Sequence, residues 1–448
     1  MTKDTIVANA TPLVPSAVSI IRLSGKDALK IGQSLFSKKS EIQPRKAYFG
    51  KFYDTNGNLI DEGLFIYFKA PYSFTGEDVV EIQVHGSVPV VKKIIQESIK
   101  LGARLAEPGE FTKRAFLNGK IDLTQAEAIA QLIEAKTEKA SKAAVNILEG
   151  KLSTQIKQLK DRLMNIESLI EAELNFPEDV EEISLKDIKE DLTYVIEKIE
   201  YLLSTYKKGK LLTEGIKLAI VGRPNVGKSS LFNTLIGYER AIVSNIKGTT
   251  RDFIEESFNI EGIPVKLIDT AGIRNAKDEI EKIGIEKTKE KIQEADIVIF
   301  VFDASKGLTD EDLKIYEEVK DKNPIIVGNK KDLALDINNK KYYFKDIIFT
   351  SVKTKEGIKE LENAILEKVG LTEEIDSQVY INLRHQTALK NSLEILKKIN
   401  NNLENYEAFK ELLMVEIREA KHYLSEIIGE ITTEDVLGNI FSSFCIGK

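Results

Sequence analysis

Gly222-Arg223-Pro224-Asn225-Val226-Gly227-Lys228-Ser229 is the stretch that decides how this chain folds. It has the spacing G-x-x-x-x-G-K-[ST] and lies between a strand-like run, Lys217 to Val221, and a helix-like one, Ser230 to Leu235. In that position glycines let backbone N–H groups curl around phosphate oxygens, and the helix adds its positive end. Asn225, Val226, Gly227, Lys228, Ser229 and Ser230 are the expected cradle. Lys228 is placed to reach the β and γ phosphates of a nucleotide, and the Ser229 hydroxyl to bind Mg2+.

Four further elements follow. Asp269-Thr270-Ala271-Gly272 ends a strand, where an Asp holds the metal through water and a glycine N–H meets a γ-phosphate. Asn329-Lys330-Lys331-Asp332 follows the strand Pro324 to Val327. A buried carboxylate at Asp332 accepts from the ring N–H and the exocyclic amine of guanine, an edge adenine lacks, so the expected nucleotide is GTP and not ATP. Ser351-Val352-Lys353 either supports the base through its main chain or is an ordinary loop. Gly248-Thr249-Thr250-Arg251-Asp252 offers a Thr to complete the Mg2+ shell. In this order the five elements resemble the G domain of Ras-like GTPases. One departure stands out: Ile273 occupies the place of the Ras glutamine that orients water. Arg274, Glu279 and Glu281 lie close by, in a stretch that reads equally as a solvated helix face. Asn225 offers a neutral oxygen near the phosphates, where a monovalent cation could replace an arginine finger.

Working outward, Ile216 to about Val369 alternates strand and helix in the βαβ rhythm of a mostly parallel sheet. Helical stripes flank it. Ile156, Leu159, Leu163, Ile166 and Ile170 recur at three and four residues; Pro177 interrupts; Leu185, Ile188, Leu192, Val195, Ile199 and Leu202 continue, with an end expected near Lys207-Lys208-Gly209-Lys210. Beyond Thr372 come Leu389, Leu393, Leu396 and Ile399, then Phe409, Leu412, Ile417, Ala420, Leu424 and Ile427. The two blocks most simply pack on each other as one discontinuous bundle with the α/β domain inserted. The alternatives are satellites of neighbouring domains, or coiled-coil contact with a second chain. Before Asp122 the chain shows few long helical periods; Ala17 to Leu23, Ala47 to Tyr53, Leu64 to Phe68 and Asp78 to His85 read as strands, with a turn at Asn56-Gly57. The fold class is thus α/β and α+β, multidomain: 1–119 an α+β domain, 120–213 the first helical part, 214–372 the G domain, 373–448 the second helical part.

Composition bounds the rest. The chain has 448 residues, about three domains' worth. Its formal charge is 64 − 71 = −7, with pI near 5.5, which argues against a basic nucleic-acid coat; neither DNA nor a membrane is an expected partner. With 42% apolar and 30% charged residues it reads as a globular protein, and no run approaches the ~20 apolar residues of a membrane helix. Met1 to Ala10 has no long apolar region, so no signal peptide is expected. One cysteine excludes an internal disulfide, and His85, His385 and His422 have no zinc spacing, so a reducing cytoplasm is the expected location.

The run Phe441-Ser442-Ser443-Phe444-Cys445-Ile446-Gly447-Lys448 resembles the terminal signature of the MnmE/TrmE tRNA-modification GTPases of bacteria and organelles. Asp4-Thr5-Ile6-Val7-Ala8, Arg22-Leu23-Ser24-Gly25, Ser73-Phe74-Thr75-Gly76-Glu77-Asp78, Pro108-Gly109-Glu110-Phe111, Arg114-Ala115-Phe116-Leu117-Asn118 and Asp122-Leu123-Thr124-Gln125-Ala126-Glu127-Ala128 are similar to family motifs, in family order. The resemblance implies an N-terminal folate-binding domain, a discontinuous helical domain and an inserted G domain. It also implies a homodimer that works with the FAD-binding partner MnmG, in an expected heterotetramer, to place an aminomethyl-type group on C5 of a tRNA wobble uridine.

By the same resemblance Arg22, Glu81, Lys120 and Lys448 contact a 5-formyl- or 5,10-methylene-tetrahydrofolate. Val80, Ile82 and Val84 alternate with Glu81, Gln83 and His85, so Glu81 lies on the polar face of a strand, where it could accept from a pterin or simply be solvated. Glu281 is implied to orient the attacking water, and Asn225 to hold K+ with Ser244, Ile246 and Thr249. Asn245, Lys247, Gly248 and Thr250 share that nucleotide loop. Cys445 reads either as a thiol brought close to folate and tRNA or as a small hydrophobe packing a chain end.

Two departures from the family pattern are visible. Leu13-Val14-Pro15-Ser16-Ala17 has no glycine where the family has a glycine-rich stretch, and Ser351-Val352-Lys353 replaces Ser-Ala-Lys. Two other classes stay open: a GTP-driven switch, as in ribosome assembly, with the first domain a scaffold, and a folate-dependent one-carbon transferase, against which Asn329 to Asp332 argues.

Overall fold

A computed structural model describes residues 4–38, 41–176, 185–238, 257–268, 293–334, 343–370, 379–406, 409–442 and 444–448. The first strands are β1 (Thr5–Asn9), β2 (Ser16–Ser24), β3 (Ala47–Tyr53), β4 (Leu59–Phe68), β5 (Val79–Gly86) and β6 (Ala103–Leu105). They form one sheet in the order β3-β4-β5-β2-β1-β6, antiparallel except for β1 with β6. Burial alternates along β5, with Val80, Ile82 and Val84 inside and Glu81, Gln83 and His85 on the other face. The expected turn at Asn56-Gly57 joins β3 to β4, and the Asp54 carboxylate closes it by accepting from the N–H groups of Asn56 and Asn58 at 3.0 and 2.8 Å.

Three helices interleave with these strands: α1 (Ala28–Leu35), α2 (Val88–Lys100) and α3 (Glu110–Leu117). The expectation of few long helical periods is met, since only α2, with 13 residues, exceeds two or three turns. The other two, at 8 residues each, are too short to show a repeat. Ile31 and Leu35 of α1 and Val91 and Ile94 of α2 join Phe36, Phe52 and Phe65 in the core beneath the sheet.

Four helices follow: α4 (Leu123–Glu134), α5 (Glu138–Leu148), α6 (Lys151–Asn175) and α7 (Leu185–Glu214). The stripes on α6 (Ile156 to Ile170) and α7 (Ile188 to Leu202) are buried as their spacing requires. Helix α7 does not stop at Lys207 to Lys210 but runs on to Glu214. Gly209 is a close-approach site and not a terminator: a Cβ there would lie 2.8 Å from the Tyr380 Cβ. Pro177 lies outside the described residues.

The second sheet comprises β7 (Ile216–Val221), β8 (Ser257–Ile260), β9 (Ile263–Leu267), β10 (Ile297–Asp303), β11 (Ile325–Asn329) and β12 (Ile347–Phe349), with helices α8 (Lys228–Tyr238), α9 (Asp310–Val319) and α10 (Ile358–Lys368). Its order is β12-β11-β10-β7-β9-β8, parallel apart from the β8–β9 hairpin. Every residue of β10 is buried, as a central strand covered on both faces demands.

The remaining helices are α11 (Leu383–Asn401), α12 (Lys410–Ile428) and α13 (Glu434–Ser442). Helix α12 packs along α6, burying Leu413, Ile417, Ala420 and Leu424, so the two helical blocks meet as expected. Glu167 of α6 pairs with Arg418 and Lys421, and Glu173 with Lys410. The chain divides into two compact units, Met1–Ala130 with Leu148–Asp191 and Glu394–Lys448, and Gln131–Ile147 with Leu192–Leu393. No described helix is long and apolar enough to cross a membrane.

Candidate functional site

In the second unit β7 ends at Val221 and the chain turns at Gly222, where an added Cβ would sit 2.1 Å from the Val301 carbonyl oxygen. Asn225 takes a left-handed φ of +65 and Gly227 a φ of +99. Among residues with a side chain, Asn tolerates that region best. A Cβ on Gly227 would lie 2.2 Å from Asn329 Nδ2, so only glycine lets the loop pass. Helix α8 begins at Lys228, which points its free amide ends into the loop. The Lys228 ammonium spans the loop, donating to the carbonyls of Gly222 and Arg223 at 2.7 and 2.8 Å, and burial pulls its pKa below the ordinary lysine value. Val226 is buried, Ser229 half-buried and Ser230 exposed. Together these residues fit a triphosphate: a backbone cradle sized by glycine, a helix N-terminus and a lysine.

The Asn-Lys-Lys-Asp loop closes on this cradle. Asn329, 2% exposed at the end of β11, donates from Nδ2 to the Val226 carbonyl at 2.9 Å and accepts from Thr350 Oγ1 at 3.3 Å. Lys330 donates to the Asn225 carbonyl at 2.7 Å and to Asp303 at 2.8 Å. Burial alone would raise the Asp303 pKa, but Lys330 and Ser305 hold it below the usual range. Asp332 is exposed, which corrects the expectation of a buried carboxylate; Ser351 Oγ orients it from 2.7 Å. The Lys331 N–H donates to the Thr350 carbonyl at 3.0 Å, so the Ser351-Val352-Lys353 loop is braced against this one, with Val352 half-buried and Lys353 exposed. Asp303 and Thr350 were missed in the sequence because neither lies in a motif. Arg223 stands at a variable position of the phosphate-loop motif, so its role was not read; it pairs with Asp312 at 2.7 Å, which also caps α9.

Ser244, Asn245, Ile246, Lys247, Gly248, Thr249, Thr250, Asp269, Thr270, Ala271, Gly272, Arg274, Glu279 and Glu281 lie outside the described residues.

A second polar site lies in the first unit. Arg22 and Glu81 are Cα partners across β2 and β5, and Arg22 donates to Glu81 Oε1 from Nη2 at 2.8 Å and from Nε at 3.0 Å. The Arg22 guanidinium is 5.9 Å from the ring centre of Phe74 and 5.7 Å from that of Phe111. The Phe111 N–H donates to the Lys448 carbonyl at 3.2 Å, which brings the last residue to the same place. Lys120 is exposed, donates to the Pro71 carbonyl at 3.0 Å, and lies beside Gly76. A paired carboxylate and guanidinium next to two rings suit a flat heterocycle carrying N–H donors. Cys445 is exposed; Phe441 and Phe444 do the packing instead, so the buried reading of the thiol is corrected. The glycine-free Leu13 to Pro15 stretch is an open loop before β2, closed by Ala10 N–H on the Ile20 carbonyl at 2.7 Å.

The parallel sheet, the phosphate cradle and the clasped Asn-Lys-Lys-Asp loop define a P-loop domain of the GTP-binding class. Residues 5–120 match the family model described as GTP-binding protein TrmE N-terminus, and residues 123–445 the MnmE helical domain. The chain is 51% identical over 447 residues to the tRNA modification GTPase MnmE of Aquifex aeolicus, covering all of both chains. It is 45% identical over 457 residues to that of Clostridioides difficile, covering 99% of each, and 42% identical over 454 to that of Fervidobacterium nodosum, covering 100% of this chain and 98% of the relative. The chain belongs to the MnmE family of tRNA modification GTPases, and it is a GTP hydrolase acting in tRNA modification.

Proposed function

We propose that this chain is a K+-stimulated GTP hydrolase that installs a carboxymethylaminomethyl-type group on C5 of the tRNA wobble uridine. It does so with an MnmG-type FAD-binding partner and a one-carbon tetrahydrofolate. The observation that carries this is the full-length likeness to tRNA modification GTPases in a chain whose Asn329 clasps the phosphate loop.

Residues 1–119 bind the folate, 120–213 and 373–448 form the discontinuous helical domain, and 214–372 form the G domain. In the G domain Lys228 and the cradle amides orient the β and γ phosphates, and Asp332 selects guanine. Ser229 and Thr250 would hold Mg2+, and Asn225, Ser244, Ile246 and Thr249 would hold K+. When bound, these ions would supply positive charge to offset the negative charge that grows on the phosphates during hydrolysis. Glu281 orients the attacking water, the task left open by Ile273. Asp269 to Gly272 and Ser244 to Thr250 respond to the γ-phosphate, G domains of a homodimer meet, and hydrolysis releases them. Chemistry then proceeds at Arg22, Glu81, Lys120 and Lys448, with the exposed Cys445 thiol presented beside it, in the cytoplasm.

The test is GTP turnover by the purified chain in K+ and in Na+ at equal ionic strength. Turnover at least tenfold faster in K+ is expected; equal rates remove the ion from the mechanism.

A further inference from the structure

Six residues of the N-terminal motifs, Asp4, Ser24, Thr75, Glu77, Glu110 and Arg114, have no assigned ligand. They converge on one partly buried cluster. The Arg114 side chain, 4% exposed, donates to Asp4 Oδ1 at 2.9 Å and the Asp4 carbonyl at 3.0 Å, to Glu77 Oε2 at 3.1 Å, and to Glu110 Oε1 at 2.9 Å. Glu77 also accepts from Ser24 Oγ at 2.7 Å, and Ser24 Oγ shares a hydrogen bond with Thr75 Oγ1 at 2.7 Å. Glu110 accepts from Arg104 at 2.6 Å and from the Glu107 N–H at 2.8 Å.

Two of these carboxylates carry the rings that meet Arg22. Glu77 belongs to the segment 73–78 that presents Phe74, and Glu110 precedes Phe111 at the start of α3. We propose that Arg114 is a positioning residue for the Arg22–Glu81 site: one guanidinium fixes the segment bearing Phe74 to the helix bearing Phe111, and so sets the spacing of the two rings around Arg22. The inference rests on reading that site as the folate site. A planar fork is needed because the three carboxylates approach from different elements; a lysine would keep the charge but offers a point and not a fork. The cluster has two guanidiniums, Arg104 and Arg114, against Asp4, Glu77 and Glu110. Glu77→Gln therefore balances its charge while loosening the Phe74 side.

Full-length Arg114→Lys and Glu77→Gln are compared with wild type by calorimetric titration with 5-formyltetrahydrofolate, by GTP turnover, and by amide hydrogen exchange. At least tenfold weaker folate binding is expected, with turnover within twofold of wild type and faster exchange confined to 73–78 and 109–112. Folate binding like wild type, or exchange that is unchanged or raised evenly across the unit, overturns the proposal. Should Arg114→Lys not fold, Glu77→Gln carries the test. If wild type itself binds no folate, the folate reading fails; the exchange pattern then still decides the positioning role, localised loss of protection upholding it and any other pattern overturning it.

Discussion

The side-chain amide of Asn329 donates to the carbonyl of Val226 at 2.9 Å, so the loop at the end of β11 and the phosphate cradle are one hydrogen-bonded unit. Asn329→Ala leaves a buried carbonyl and the Thr350 hydroxyl without this partner, at a cost of about 1–3 kcal/mol. At about 1.4 kcal/mol per tenfold, guanine nucleotides should bind roughly five- to a hundredfold more weakly. Titration with fluorescent GDP checks this, and unchanged affinity would separate the two loops.

Gly209 sits inside α7 with its missing Cβ 2.8 Å from the Tyr380 Cβ. Alanine is the better helix former by about 1 kcal/mol. Overpacking costs about 1–3 kcal/mol and should win, because Tyr380 is 4% exposed and has little room to retreat. Gly209→Ala is expected to destabilise the second unit by about 1 kcal/mol net, read as a lower denaturant midpoint. A rise in that midpoint would mean that Tyr380 yields.

Acid should loosen the first unit through the Arg114 cluster. Burial pushes the pKa of Glu110 up, but Arg104, the Glu107 N–H and Arg114 outweigh it and hold the group below its ordinary 4.5. Asp4 is likewise lowered, against its own burial, by Arg104 and Arg114. A folded pKa below the unfolded one gives stability that is complete above the unfolded value and lost as pH falls through the folded value. Melting temperature should hold from about pH 7 to about pH 5 and drop below that, with Glu110→Gln showing a shallower acid drop. A decline in wild type that Glu110→Gln leaves unaltered would assign the acid sensitivity elsewhere.

Because the Cys445 thiol is exposed, Cys445→Ser removes no buried contact and should change stability by less than about 0.5 kcal/mol. GTP turnover should persist while tRNA modification is abolished. Undiminished modification by the variant would take the thiol out of the chemistry.

The phosphate-loop motif was legible because its chemistry is local: glycines, a lysine and a helix start fall within eight consecutive residues, Gly222 to Ser229. Alternation of apolar and polar residues likewise placed Glu81 on the polar face of a strand, as β5 shows. What it could not supply was Arg22 as its partner, since the two are 59 residues apart and meet only through the β2–β5 register. Helices α1 and α3 were hidden by their shortness, and β6 by having 3 residues. Gly209 misled because a helix-breaking residue type is retained where two segments nearly touch, and that is a tertiary cause. Asp332 is exposed and meets Ser351 Oγ from a loop 19 residues further on, a pairing that pattern alone does not place.

Nucleoside analysis of tRNA from cells lacking this chain tests the GTP-driven role directly. The C5 aminomethyl-type wobble modification should vanish, and return with the wild-type chain but not with Lys228→Ala. Modification that survives the deletion, or that Lys228→Ala restores in full, would contradict a GTP-driven role in tRNA modification.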